Sequence, residues 1–132
     1  MLDQANDFFK ASGALTVLEY KAVIEALLRS SKSAGFQLLS INDFPGQGYA
    51  PVGILDPFWD SKGLVTPEKF REFCAPTVAL LRYEKSSFFN SETFTGKAEV
   101  YNFSNAAIKN AKLKWWITDE SGKVLQKGNL KS

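Results

Sequence analysis

The sequence predicts an α+β fold, in which a partial (β/α) barrel segment, ordered helix–strand–loop–helix, is followed by a partial antiparallel β-sandwich. Three patterns predict it. Apolar residues recur at helical spacing over residues 16–32, form a nearly continuous run at residues 36–41, and alternate with polar residues after Ser86. We therefore expect two pieces, residues 1–84 and residues 85–132, each of which looks like part of a larger fold.

Composition narrows the classes of function. The chain has 132 residues, of which 45% are apolar, and a net charge of +2, made of −2 over residues 1–84 and +4 over residues 85–132. Charges of both signs are interspersed, which argues against a nucleic-acid-binding surface, and no apolar run is long enough to cross a membrane. We therefore predict neither a nucleic-acid partner nor a membrane partner. The sequence also has no cofactor motif, so we predict no cofactor.

Histidine is absent, and Cys74 is the single cysteine. The lack of histidine excludes Ser-His-Asp and Cys-His catalysis and removes the commonest zinc ligand. The single cysteine excludes an intrachain disulfide, and its apolar neighbours in a predicted helix favour a small buried side chain. Residues 1–10 have neither the basic nor the apolar region of a signal peptide.

Capping residues predict where the helices begin. Residues 16–19, Thr-Val-Leu-Glu, fit a capping box at the start of a helix over residues 16–32, after a lead-in (residues 1–14) that is broken at Gly13. A Thr-Pro-Glu sequence predicts the start of a second helix over residues 67–75, and a later proline limits its length.

The strands follow from the apolar runs. Residues 36–41 contain only two polar members, which predicts a strand buried on both faces, as in a parallel sheet covered by helices. One such strand cannot make a sheet, so its neighbours must lie outside this chain or in the later segments. The later strands resemble the first half of an immunoglobulin-like sandwich, which needs about seven. These later strands are predicted at residues 92–94, 98–103, 112–118 and 123–128, and residues 78–83 are predicted as a short exit segment of the first piece, either a strand or extended.

A long loop at residues 42–63 carries the candidate site. Asn42 and Asp43 follow the predicted buried strand, at the end that faces the active site in α/β barrels. Asp43 would hydrogen-bond ligand hydroxyls, act as a base or bind a metal. Alternatively, it caps the loop by accepting from backbone N–H groups of residues 46–48. The two interpretations are compatible.

Two other features of the loop favour structural roles. Glycosidase chemistry needs a pair of carboxylates, and any two of Asp43, Asp56 and Asp60 could form one. The sequence, however, does not fix the distance between these carboxylates. Asp56 and Asp60 also lie in ordinary turn contexts. The Gly46-Gln47-Gly48 segment has neither the lysine spacing nor the following helix of a phosphate loop, so we interpret it as a flexible backbone turn.

Aromatic residues in the loop suit a saccharide, whose C–H faces stack on rings while its hydroxyls bind neighbouring polar groups. Trp59 is the strongest candidate for ligand contact among these side chains, and the alternative is that they close the mouth of the core. They are Phe44, Tyr49, Phe58 and Trp59.

A second pair of indoles lies in the later strands. Trp115 is in phase with Leu113 and Ile117 and is predicted to be core. Trp116 lies between lysines on the opposite face, where it is either covered by a neighbouring domain or exposed for binding.

The loop sequence resembles a segment of the family 2 glycoside hydrolases, the β-galactosidase-like enzymes. The similarity is carried by residues 35–48 (GFQLLSINDFPGQG) and 53–63 (GILDPFWDSKG), by the Thr-Pro-Glu helix start and Cys74, and by Trp115 with the residues that follow it. It covers most of residues 13–128. It implies the last helix and strand of a barrel, the closing helix, and the start of an immunoglobulin-like sandwich.

The resemblance also implies roles for particular residues. Asn42, Asp43, Gln47 and Trp59 would line the sugar subsite, and the two catalytic glutamates of the family would precede Met1. Glu19 and Glu25 match neither. We therefore expect a fragment of an enzyme acting on β-linked oligo- or polysaccharides that is inactive alone. It would have carbohydrate and the rest of the parent enzyme, or further copies of itself, as partners.

Two alternatives remain open from the residues alone. One is a small carbohydrate-binding or protein-interaction module that uses the aromatic loop. The other is a small enzyme that uses Asp43 and Asp56.

Overall fold

The fold is taken from a computed structural model that describes residues 2–46 and 51–131. That part of the chain is a mixed α+β structure with one long helix, one short helix and four strands in two two-stranded sheets, as the sequence predicts at the level of class. A 3₁₀ turn at Leu2–Gln4 comes first. The helices and strands are α1 (Ala5–Leu28), α2 (Pro67–Arg71), β1 (Thr77–Arg82), β2 (Lys97–Asn102), β3 (Lys112–Thr118) and β4 (Val124–Lys131).

The chain divides into two compact units, Met1–Tyr101 and Asn102–Ser132. The change of sequence pattern placed the boundary at residues 84/85 instead. The difference arises because β2 pairs with β1 and so joins the first unit, while β3 pairs with β4 in the second. The partial barrel and the partial immunoglobulin-like sandwich stay predictions, because the described residues provide only these two small sheets.

Helix α1 begins at Ala5, so the predicted start at residue 16 is wrong. Gly13 does not break the helix. It is buried inside it, where a Cβ atom would lie 2.2 Å from Cδ2 of Leu64. The Thr16 hydroxyl donates to the Ser12 carbonyl at 3.0 Å, as a side chain within a continuous helix does, and so it is not a cap.

The C-terminal end of α1 is tied to the first sheet by arginines. The Arg82 guanidinium donates to the backbone carbonyl of Arg29 at 3.0 Å and to both carboxylate oxygens of Glu99 at 3.1 and 3.0 Å. Arg29 in turn donates to the Leu81 carbonyl at 3.3 Å. Carbonyls at a helix end lack partners within the helix, so the strand supplies one of them.

The predicted buried strand at residues 36–41 is wrong. These residues belong to no strand, Ser40 has a positive φ of 101°, and the Leu39 side chain is 96% exposed. A strand needs at least one neighbouring strand, and the described residues supply no strand partner for residues 36–41; the nearest parallel pairing is the single bridge between Asn42 and Leu55. The core of the first unit lies elsewhere, and the buried apolar side chains among the described residues are Ile24, Ile54, Phe73, Val78 and Leu80.

The elements after the loop are closer to the prediction. Thr66 caps α2 by accepting from the Lys69 N–H at 3.3 Å, as the Thr-Pro-Glu sequence indicates, although α2 ends at Arg71 and continues only as turns. Residues 92–94 are not a strand. The Glu92 carboxylate accepts from the Phe89 N–H at 2.8 Å and closes a turn there instead.

The second unit is built on the β3–β4 hairpin. Asp119 starts its turn and accepts at Oδ1 from the backbone N–H groups of Ser121 and Lys123, at 2.9 and 3.0 Å. Trp115 lies opposite Gly128, and its indole covers that glycine so closely that a Cβ atom would lie 2.7 Å from the ring. Trp115 is half-buried and Trp116 is exposed, in line with the predicted alternation, whereas Ile117 is exposed as well.

Candidate functional site

The loop of residues 41–63 is organised by two adjacent backbone bridges. Asn42 pairs in parallel with Leu55, and Leu55 pairs in the antiparallel sense with Ser61. The Asp43 N–H donates to the Leu55 carbonyl at 2.9 Å, which fixes the register of the first bridge. Because Asp43 follows Asn42 and Lys62 follows Ser61, the two bridges bring the side chains of Asp43 and Lys62 together.

Asp43 and Lys62 form a buried ion pair. Lys62 Nζ lies 2.9 and 3.0 Å from the two carboxylate oxygens of Asp43 and 2.9 Å from the carbonyl oxygen of Gly53. The Gly53 N–H donates to Asp43 Oδ1 at 2.8 Å. The Asp43 side chain is only 2% exposed, so protein groups rather than solvent satisfy its charge. Lys62 also lies 5.9 Å from the centre of the Phe9 ring on α1.

Gly53 is the point where two backbone segments touch. A Cβ atom there would lie 2.2 Å from the carbonyl carbon of Asn42 and 2.4 Å from the backbone nitrogen of Asp43. Both contacts are to backbone, which cannot turn aside as a side chain can. The close approach therefore requires glycine, and it places the Gly53 N–H and carbonyl where the Asp43–Lys62 pair uses them.

A second carboxylate shapes the tip of the loop. Asp56 Oδ1 accepts from the N–H groups of Phe58 and Asp60, both at 2.9 Å, and the Trp59 N–H donates to the Asp56 carbonyl at 3.1 Å. Trp59 is held at a φ of 72°, and its side chain is 64% exposed. The turn thus presents the indole, next to the exposed ring of Phe58, on a hydrogen-bonded backbone. Asp56 has a turn role here, as its sequence context indicated.

The predicted subsite residues occupy different settings. Asn42 is half-buried and donates from Nδ2 to the backbone carbonyl of Asp43 at 3.2 Å, Asp43 is buried in the ion pair, and Trp59 is exposed. Gln47 lies outside the described residues, as do Gly48 and Tyr49. Asp43 does accept from a backbone N–H, that of Gly53. Its predicted capping of residues 46–48 stays a prediction, because Gln47 and Gly48 lie outside the described residues. Ligand contact by these four side chains stays a prediction.

A cleft of about 1020 Å³ lies between α1 and the irregular segment at residues 36–40. Its lining is mainly apolar and includes Val23 and Leu27 from the helix and Phe44 and Val52 from the loop. The Tyr20 hydroxyl donates across it to the Ser40 carbonyl at 3.4 Å. Trp59 is not among the described residues that line it, so the exposed indole and this cleft are separate features of the first unit.

Lys62 is the central residue that sequence reasoning missed. It lies in Asp-Ser-Lys-Gly, which indicates a turn, and nothing in that pattern indicates a partner 19 residues earlier. Among titratable groups near the core, burial raises the pKa of the Cys74 thiol, which keeps it protonated and agrees with a packing role. Across the described residues, no group of three or more acidic or cysteine side chains is placed to hold a metal ion.

Comparison with known proteins gives a match to part of the chain. A family model described as a domain of unknown function (DUF8488) matches residues 92–132, which include β2, β3 and β4. No curated protein matches the chain. Within the described part of the chain, none of the helices has the length and apolar character needed to cross a membrane.

Proposed function

We propose that this chain forms one wall of a saccharide-binding site in a glycoside hydrolase similar to family 2, and that the catalytic glutamates belong to other parts of that enzyme. The observation that carries the proposal is the loop tip. A turn fixed by Asp56 presents the exposed indole of Trp59, and the loop behind it is braced by the buried Asp43–Lys62 pair. A rigid, exposed ring is what stacking on the C–H face of a sugar requires.

In this proposal the polar residues have distinct tasks. Trp59 stacks on the sugar ring, and the amides of Asn42 and Gln47 bind its hydroxyls. The buried Asp43 holds the loop in the binding conformation through Lys62 and Gly53, and it reaches the sugar only if that pair opens. The substrate class is β-linked oligo- or polysaccharide, as the family resemblance implies.

Exposed apolar residues support the second part of the proposal, that this chain has a protein partner. Leu39 is almost fully exposed beside the apolar cleft, and residues 36–39 make no backbone hydrogen bonds with the described part of the chain. Unpaired backbone next to apolar side chains is typical of a surface that another segment covers. The partner is the rest of the parent enzyme, and in its absence a second copy of the chain.

The test is a titration of β-linked disaccharide, at millimolar concentrations, followed by intrinsic tryptophan fluorescence. We expect a saturable change that is lost in Trp59→Ala and kept in Trp116→Ala. The second variant is a matched control, because the two indoles are 64% and 63% exposed. No saturable response, or a response that survives in Trp59→Ala, would exclude the binding role. Hydrolysis of an aryl glycoside by the chain, abolished by Asp43→Ala, would exclude the proposal that it lacks the catalytic groups.

A further inference from the structure

A second cleft, of about 840 Å³, lies in the first unit between the end of β1 and the start of β2. Its wall is formed by the connection between these strands, residues 83–96, which has little regular structure. The cleft shares no residue with the loop of residues 41–63. Its lining combines two aromatic rings, Tyr83 and Phe88, with three basic, two acidic and two threonine side chains.

The aromatic side of the cleft is a packed cluster. The ring centroids of Phe88 and Phe94 lie 5.3 Å apart with their planes at 74°, and those of Tyr83 and Phe94 lie 6.3 Å apart. Phe94 contacts both of the other rings but is not one of the lining residues. The Phe88 side chain is 37% exposed, and Lys85 Nζ lies 5.1 Å from the centre of its ring. A ligand therefore stacks on the part of the ring that the ammonium does not cover, and the fixed orientation of the ring lowers the entropic cost of binding.

The basic side chains of the cleft already have carboxylate partners. Arg82 and Lys97 pair with Glu99 at 3.0 and 3.2 Å, and Lys85 pairs with Glu92. With the Glu84 carboxylate, the charges at the cleft cancel. An anion would have to displace these carboxylates and a cation would have to displace the basic groups, so the electrostatics favour an uncharged ligand.

Several polar groups at the cleft remain available. The hydroxyls of Tyr83, Thr93 and Thr95 and the carboxylate of Glu84 have no hydrogen-bond partner among the residues that the structure describes. They provide both donors and acceptors around the apolar rings. A ligand that matches them needs hydroxyl groups on its edge and an apolar face.

We infer that this second cleft binds a neutral saccharide, stacked on Phe88 and hydrogen-bonded by Thr93, Thr95 and Glu84. A pyranose with equatorial hydroxyls has the required shape, because its C–H groups form an apolar face and its hydroxyls point outward from the edge. Glu92 holds the site together, since its carboxylate binds both Lys85 and the Phe89 N–H. The site is independent of the Trp59 loop, and so of the function proposed above.

The experiment is saturation-transfer NMR of the full chain with cellobiose as the probe. We expect transfer to the sugar protons, and a Kd roughly tenfold weaker in Phe88→Ala because a stacking face is lost. Phe89→Ala is the matched control, because its ring is adjacent in sequence but does not line the cleft. Thr93→Val, which replaces a hydroxyl by a methyl group, should weaken binding without disturbing the rings.

Further measurements distinguish this cleft from the Trp59 loop and a neutral ligand from a charged one. Trp59→Ala should leave part of the cellobiose signal, the part that Phe88→Ala removes, so failure of either site is visible without the other. Inorganic phosphate and choline should show no binding that Phe88→Ala or Thr93→Val reduces. The inference is overturned if cellobiose shows no transfer, if both cleft variants bind like the unmodified chain, or if phosphate or choline binds here instead.

Discussion

Lys62 is bonded to both carboxylate oxygens of Asp43, across 19 residues of sequence, and the two side chains are 11% and 2% exposed. Lys62 also donates to the Gly53 carbonyl. The pair therefore joins three separate backbone segments of the loop, those that contain Asp43, Gly53 and Lys62. Because both charges are withdrawn from water, removing the Lys62 ammonium takes a counter-charge away from the buried Asp43 carboxylate.

We therefore expect Lys62→Met to lower the free energy of unfolding by about 3 kcal/mol, the usual cost of breaking a buried pair from one side. Urea denaturation followed by circular dichroism measures the change. Lys69→Met is the control, since Lys69 forms an exposed ion pair with Glu72 and should lose less than about 1 kcal/mol. Equal losses in the two variants would contradict a central role for Lys62.

Because Gly53 lies so close to the backbone of Asn42 and Asp43, we expect a side chain at this position to destabilise the fold. Gly53→Ala places a methyl group within 2.4 Å of backbone atoms, so the loop must move and the Asp43 bonds must lengthen. We expect a loss of about 2 kcal/mol or more in unfolding free energy. Gly96→Ala is the matched control, because its nearest neighbours are side-chain atoms at 3.1 Å, which can shift. A neutral Gly53→Ala would show that the two segments do not touch.

The sequence correctly predicted the secondary-structure elements that are determined by interactions between residues close together in the chain. Thr66 was predicted as a cap from Thr-Pro-Glu and it accepts the expected N–H. Strand β3 was predicted from its alternation and spans Lys112–Thr118, and Asp119 begins the predicted turn. In each case the deciding interaction lies within a few residues, so the pattern contains the information.

The predictions that were wrong concern residues whose structure depends on contacts with residues far away in the sequence. Gly13 suggested a helix break, but it lies inside a continuous helix, and glycine is needed there because Leu64 fills the space that a side chain would occupy. The apolar residues 36–41 suggested a buried strand, but burial needs neighbours that the described residues do not supply. The placement of Asn42 and Trp59 on one loop was predictable, whereas the partner of Asp43 was not, because turn sequences such as that around Lys62 carry no signal of long-range pairing.

The turn at Glu92 predicts a dependence on pH. The hydrogen bond from Lys85, followed by the one from the Phe89 N–H, holds the pKa of the Glu92 carboxyl below its usual range. Its contribution to folding is therefore fully present above the pKa of the unfolded chain, about 4.3, and is lost as the pH falls through the lower pKa of the folded chain.

We expect an acid titration to move the amide resonance of Phe89 with a midpoint below that usual value. Glu92→Gln is the control, because it keeps an acceptor oxygen for the Phe89 N–H but has no charge to titrate, so its resonance should stay constant over the same range. A midpoint at or above the usual value would contradict the bonding at this turn. The second cleft should lose cellobiose over the same interval in which Glu92 is protonated.

Exposure of Leu39 predicts self-association of the isolated chain. This side chain is 96% exposed next to an apolar cleft and to backbone groups that lack partners among the described residues, so burying it against another copy removes apolar surface from water. Light scattering at increasing concentration should show dimers or larger species, and Leu39→Ser should shift the equilibrium toward monomer. Leu125→Ser, at a 62% exposed site in β4, is the control and should leave the equilibrium unchanged. A monomer at all concentrations, or equal effects of the two variants, would show that the surface around Leu39 does not mediate association.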